Sequence, residues 1–128
     1  MIKLDEIESA HRRIKPFVHR TMILTNKSID ALTGAHLFFK CENFQKTGSF
    51  KIRGATNAIL QLSQEDISRG IATASSGNHG AALSRAVSIK GGTTKVVMPT
   101  NTPKIKVDNV IRNGGEVLWC EPTQRSRD

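Results

Sequence analysis

Ile71-Ala-Thr-Ala-Ser-Ser-Gly-Asn-His-Gly80 is the stretch that decides the fold. Small and β-branched residues run into a polar turn with two glycines, and Leu83, Ala86 and Val87 then follow at helical spacing. That order reads as a short buried strand, a tight turn and a helix. The rhythm continues downstream. Lys95-Val-Val-Met98 is a second strand ended by Pro99, and Pro103 opens a helix bearing Val107, Val110 and Ile111. Gly114-Gly115 closes that helix, and Glu116-Val-Leu-Trp119 begins a third strand. Strands alternating with helices predict parallel βαβ units, with the sheet covered on both faces.

Upstream the pattern is less regular. Leu4, Ile7, His11 and Ile14 recur at helical spacing, with Asp5 near the start and Pro16 as a stop, which places His11 at the edge of a core. Residues 21–24 read as a short extended segment, Ser28 to Thr33 as a brief helix stopped by Gly34, and His36 to Cys41 as a strand. A helix from about Ser49 carries Ile52, Ala55, Ile59 and Leu62 on one face. A further helix is due after strand 116–119, yet the chain ends at Gln124-Arg-Ser-Arg-Asp128, so the α/β layout is expected to be incomplete.

Composition narrows the class. Of 128 residues 38% are hydrophobic, within the globular range, and no apolar run reaches the ~18 residues of a membrane span. Met1-Ile-Lys-Leu-Asp-Glu6 has no apolar leader, and a cytoplasmic protein is expected. Nineteen basic against eleven acidic residues give a net charge of +8. Six bases between Arg85 and Arg112 face one acid, Asp108, which suits phosphate-bearing ligands or an acidic surface. Nucleic acid is disfavoured, because the aromatics do not interleave with the basic residues and no recognition motif is present. Cys41 and Cys120 stand far apart with no CxxC or His/Cys cluster, so both are expected to be small core residues and no metal site is expected.

Two positions could carry chemistry. In Lys46-Thr-Gly-Ser-Phe-Lys-Ile-Arg-Gly54, Lys51 falls in the first turn of a helix, beside the positive dipole end and the cations Lys46 and Arg53. A lysine held neutral there is a nucleophile toward carbonyls; an exposed helical lysine without function is the plain alternative. Ser75-Ser-Gly-Asn-His-Gly80 sits between a strand and a helix, where ligands bind in open parallel sheets. Its backbone N–H groups with Ser75, Ser76, Asn78 and His79 make an anion cradle, or alternatively an ordinary capping turn.

Together, Phe38-Phe-Lys-Cys-Glu-Asn-Phe-Gln-Lys-Thr-Gly-Ser-Phe-Lys-Ile-Arg-Gly-Ala55 and Ser75-Ser-Gly-Asn-His-Gly80 resemble the fold-type II pyridoxal-phosphate enzymes, in particular the serine racemase and serine/threonine dehydratase group. The resemblance runs through nearly the whole chain, including Val96-Val-Met-Pro99 and Cys120-Glu-Pro-Thr123. It implies a three-layer αβα architecture with a mainly parallel sheet of the tryptophan-synthase-β type, here incomplete. Residues 1–48 would belong to a larger domain and 49–128 to a smaller one, the rest of the larger domain being absent.

By the same resemblance Lys51 would form a Schiff base with pyridoxal 5'-phosphate and then accept the α-proton. Phe50 would pack near the cofactor ring and Asn78 would hydrogen-bond the ring 3'-oxygen. Ser75, Asn78 and His79 would hold the substrate carboxylate. Ser76 stands where the family's racemases have their second acid/base, which keeps racemisation open beside dehydration. The implied substrates are L-serine and L-threonine; the full-length form would be a homodimer, with ATP and a divalent cation as effectors and the nucleotide near Lys46 and Thr47. The family's glycine-rich phosphate loop, its residue at the pyridine nitrogen and its metal-site carboxylates have no counterpart here, so weak cofactor binding by this polypeptide alone is expected. A catalytically inactive truncated remnant is the alternative.

Overall fold

A computed structural model describes residues 1–123, 125 and 126. Helix α1 (Leu4–Ile14) leads through a 3₁₀ turn at Lys15–Phe17 to strand β1 (Ile23–Leu24), helix α2 (Lys27–Thr33) and strand β2 (Phe39–Lys40). A 3₁₀ turn at Glu42–Phe44 precedes helices α3 (Lys51–Ile59) and α4 (Gln64–Ser68). The remainder alternates: β3 (Ile71–Ala74), α5 (Asn78–Ile89), β4 (Thr94–Pro99), α6 (Lys104–Arg112) and β5 (Gly115–Cys120). The expected elements are present, with shorter strands near the N-terminus.

The local chemistry explains most boundaries. Asp5 and Glu6 sit at the positive end of α1 and Arg12 and Arg13 at its negative end, the arrangement the helix dipole favours. Asn26 caps α2, its side-chain oxygen accepting from the N–H groups of Ser28 and Ile29. Gly34 ends that helix in the left-handed conformation at φ 69°. The single helix expected from Ser49 to Leu62 is broken after Ile59. Ser63 starts α4 with a capping box, its hydroxyl accepting from the Asp66 N–H while the Asp66 carboxylate accepts from the Ser63 N–H.

Strands β3, β4 and β5 form a parallel sheet in that order, with Ile71 opposite Thr94 and Thr94 opposite Gly115. One core joins Ile52 and Ile59 of α3, Ile67 of α4 and Leu83 and Val87 of α5. A second joins Ala81 of α5, Val96 and Met98 of β4 and Val107 and Val110 of α6. Burying each such side chain contributes about 1.5–3 kcal/mol. Both crossover helices therefore lie on one face of the sheet, and α3 packs outside α5.

The other face departs from expectation. Ala72, Ala74, Lys95, Glu116 and Leu118 share it by register and alternation, and all are exposed. Among the described residues the sheet is thus covered on one face only, and β3 is a half-exposed edge strand rather than a buried one. The outer half of α1 is likewise bare: Ile14 is buried, whereas Leu4, Ile7 and His11 are exposed. Cys41 and Cys120 are free thiols of intermediate exposure, not core residues.

β1 and β2 pair antiparallel, Ile23 opposite Lys40. Helix α2 connects the two strands, and the N-terminal segment meets α3 through α1. Arg13 Nη1 donates to Asn57 Oδ1 of α3 across that contact.

Candidate functional site

Everything about Lys51 starts from the turn before it. Gln45 is buried and closes the approach: its amide oxygen accepts from the His19 and Lys46 N–H groups, and its amide nitrogen donates to the His19 carbonyl. Gly48 then turns the chain at φ 77°, a conformation that favours glycine. Helix α3 begins directly after Phe50 with no side-chain cap. The Arg53 N–H is already taken by the Phe50 carbonyl, and the N–H groups ahead of it, with the dipole, face a ligand without a side-chain cap. Thr47 and Ser49 flank this turn, both buried, and their hydroxyls find no partner in the structure. Buried hydroxyls are normally satisfied, so two unsatisfied ones beside an uncapped helix start mark a place where a polar ligand would be held.

Lys51 itself is exposed, its Nζ 5.1 Å from the centroid of the Phe50 ring. Arg53, two residues along in the same turn, is not the free cation that the sequence suggested. Its Nε donates to Glu42 Oε2 and its Nη2 to Glu42 Oε1, both at 2.8 Å, and Nη2 also reaches the His19 carbonyl at 3.1 Å. The bidentate Arg53 pair lowers the Glu42 carboxyl to about 2 against partial burial, with the Thr21 hydroxyl and Lys40 assisting. Arg53 is raised in return by the hydrogen bond to Glu42.

The second motif is built at the carboxyl end of β3. Ser75 Oγ accepts from the Gly77 N–H at 3.3 Å and the Gly80 N–H at 3.0 Å, so its side chain organises the first turn of α5 from two residues before the Gly77 cap. Its own hydroxyl proton remains available for an anion. Ser76, Asn78 and His79 are exposed around the helix start. Gly80 is buried against the sheet, where an added Cβ would lie 2.8 Å from Val96 Cγ1. That contact holds the turn close to β4.

Helix α6 touches both motifs. Asn109 Nδ2 donates to the Thr47 carbonyl at 3.4 Å, and the Lys106 stem lies 3.6 Å from the place a Cβ on Gly77 would occupy. Lys106 and Asn109 are one turn apart on the same helix side. The structure thus brings the lysine turn and the serine–glycine turn to a common border. Lys106, Asn109, Glu42 and Gln45 were missed by sequence reading. Lys106 and Asn109 share one helical stripe flanking the core positions Val107 and Val110, and that spacing was the available signal.

A cavity of about 610 Å³ lies away from this border, lined by His11, Lys15, His19, Arg20, Lys40 and Arg53 among others. Two of its cations are already engaged, Arg53 by Glu42 and Lys40 by the Thr21 carbonyl at 2.6 Å. Among the described residues no cluster of three His, Cys, Asp or Glu could hold a metal ion, and no helix is long and apolar enough to cross a membrane.

Comparison with known proteins bears on the family and the fold. A family model described as pyridoxal-phosphate dependent enzyme matches residues 14–128. A serine racemase of Arabidopsis thaliana is 54% identical over 122 residues, 95% of this chain and 37% of its own length. A beta-hydroxyaspartate dehydratase of Paracoccus denitrificans is 49% identical over 124 residues, covering 97% of this chain and 39% of its own. The structure of maize serine racemase superposes with a TM-score of 0.93 at 48% identity, covering 98% of this chain and 38% of that one. The chain therefore spans well under half the length of these relatives, and its sheet and helices are part of the fold-type II architecture.

Proposed function

This chain belongs to the pyridoxal-phosphate dependent enzymes, and on that premise we propose that it carries the lysine half-site of a serine/threonine dehydratase or serine racemase. The observation that carries the proposal is the shared border of the two motifs: Lys51 opens α3 and the Ser75–Gly80 turn opens α5, with α6 touching both turns. The residues present fit the cofactor. An exposed lysine stands beside an uncapped helix start, and the unpartnered Thr47 and Ser49 hydroxyls offer polar contacts there. Pyridoxal phosphate, when bound, supplies an electron sink for the electron pair released from the substrate's α C–H bond.

The roles of the chain's own groups follow. Lys51 Nζ would hold the cofactor and is the base placed to take the substrate's α-proton. Phe50 packs by the ring and Asn78 hydrogen-bonds its 3'-oxygen. Ser75, Asn78 and His79, with the N–H groups of the α5 start, orient the substrate carboxylate. Ser76 Oγ holds a proton on the opposite side; delivering it to Cα returns the D-amino acid. Departure of the β-hydroxyl as water instead leaves a 2-oxo acid and ammonia after hydrolysis. L-serine and L-threonine, a homodimeric full-length form, a cytoplasmic setting and a division into 1–48 and 49–128 belong to the same proposal. So do ATP near Lys46 and Thr47, supported by the unpartnered Thr47 hydroxyl, and a divalent cation, which finds no ligand cluster among the described residues.

The uncovered sheet face favours a second reading, a chain that folds the half-site without turning over. One experiment separates them. The protein is incubated with pyridoxal phosphate, reduced with borohydride and mapped by peptide mass spectrometry. Selective modification of Lys51, lost in Lys51→Ala, with 2-oxo acid or D-serine formation supports the enzyme. Selective modification without turnover supports the second reading. Scattered modification over many lysines refutes both.

A further inference from the structure

The clamp formed by Glu42 and Arg53 lies across the junction between the N-terminal segment and α3. Arg53 is two residues from Lys51, in the same first turn, and its guanidinium is only partly exposed, 28%, against 16% for the Glu42 side chain. Both guanidinium–carboxylate bonds are 2.8 Å, the fork-on-fork geometry that fixes direction as well as distance. Glu42 is itself held by the Thr21 hydroxyl at 2.5 Å, and Thr21 by Lys40 through its carbonyl. Arg53 also reaches the His19 carbonyl, which Gln45 binds as well. The segment from Glu42 to Arg53 is therefore closed on itself: both ends are pinned to each other and to residues 19–21.

Resting on the reading of Lys51 as the cofactor lysine, we propose that the Glu42–Arg53 pair is a positioning device that fixes the first turn of α3, and with it the Lys51 backbone, against the N-terminal segment. Its chemistry suits that purpose. A carboxylate held this far below its ordinary range stays charged across the working pH, so the clamp does not open with small pH changes. The pair supplies no proton and touches no substrate; it acts through the placement of Lys51. The α1 packing and the Arg13–Asn57 bond also tie α3 to the N-terminal segment, the latter further along the helix. The Arg53 clamp adds a bidentate, directional hold on the turn that carries the lysine.

The test uses the native protein with pyridoxal phosphate. Two quantities are read: borohydride trapping at Lys51 relative to all other lysines, and the visible circular dichroism of the bound cofactor, whose sign and intensity report the geometry at the lysine. Glu42→Gln keeps the shape and removes the charge. About a tenfold fall in selective trapping and a collapsed visible signal, with far-ultraviolet dichroism unchanged, is the expected result, since a displacement of about 1 Å at a reacting group costs on the order of 10²-fold. Trapping and visible signal equal to the wild type in a folded Glu42→Gln protein would overturn the positioning role alone. Should Glu42→Gln fail to fold, Glu42→Asp keeps the charge on a shorter arm. The positioning role then requires several-fold weaker trapping, and wild-type trapping refutes it. Absence of selective Lys51 trapping in the wild type would instead overturn the reading of the site, and the positioning role with it.

Discussion

Gly80→Ala tests the close approach that sets the serine–glycine turn on the sheet. Glycine to alanine within a helix ordinarily stabilises by up to ~1 kcal/mol. Here the new Cβ would stand 2.8 Å from Val96 Cγ1 and 3.4 Å from both Ser75 Cβ and Val110 Cγ2. Val96 is fully buried on the central strand and Val110 fully buried on α6, so neither can withdraw into solvent. Overpacking of this kind costs about 1–3 kcal/mol. Set against the helix gain, the net is a loss of roughly 1 kcal/mol. Urea denaturation at neutral pH reads it as a lower midpoint with an unchanged slope. Val96→Ala opens the space the methyl needs, so the double variant should be more stable than the two single changes sum to, by about 1 kcal/mol. A Gly80→Ala protein that is stabilised, or strict additivity with Val96→Ala, would refute the contact and the account of what holds the turn in place.

Three further outcomes are expected. Glu42 lies near 2 against an ordinary 4.5, a depressed value, so its contribution is complete above about pH 4.5 and is lost as pH falls toward 2. The shift corresponds to roughly 3 kcal/mol, which partial solvation trims to about 2; in denaturation curves the gap between Glu42→Gln and the wild type should be smaller at pH 3 than at pH 7 and should close as pH approaches 2. Ser75→Ala removes the acceptor of the Gly77 and Gly80 N–H groups and should cost about 1 kcal/mol, with faster hydrogen exchange at those two amides; unchanged exchange would show that water replaces it. Ile52→Ala, at a fully buried position joining α3 to α5, should cost about 2–5 kcal/mol by thermal or urea unfolding, and a loss under 1 kcal/mol would mean the two helices do not share a core.

How much was legible depends on how local the cause was. From Ile71 onward the alternation of β-branched runs with helical stripes, punctuated by Pro99, Pro103 and Gly114, is written in neighbouring residues, and β3 through β5 lie within a residue or two of their expected places. Pairing is not local. Nothing near Ile23 specifies Lys40 as its partner, so the β1–β2 pair was read only as two extended pieces. The break between α3 and α4 was in reach, because Ser63 and Asp66 are a capping signature, but the spacing of Leu62 with Ile59 masked it. Cover on the second face of the sheet failed as an expectation because alternation records which residues are apolar, not whether anything is packed on them.

The same distinction governs the site. Lys51 and Ser75–Gly80 were legible because each motif is a run of residues whose joint chemistry has few other uses. Arg53 was misjudged as a free cation next to Lys51, since its partner lies 11 residues earlier across a turn. With Glu42 balancing Arg53, the favourable field for an anion at the start of α3 comes from the helix itself, whose first N–H groups are uncapped. At α5 the situation differs, because Ser75 already satisfies the Gly77 and Gly80 N–H groups. A ligand carboxylate there must meet the Ser75 hydroxyl proton, the exposed Asn78 and His79, or Lys106 from α6 rather than a fully open helix end. The two helix starts are therefore unequal: α3 offers N–H groups without a side-chain cap and two buried hydroxyls, while α5 offers side chains and the Asn78 and His79 N–H groups over a turn in which Ser75 already satisfies two others. A bound molecule with two anionic or polar ends would be oriented by that inequality, the end needing many backbone donors toward α3 and the end read by side chains toward α5.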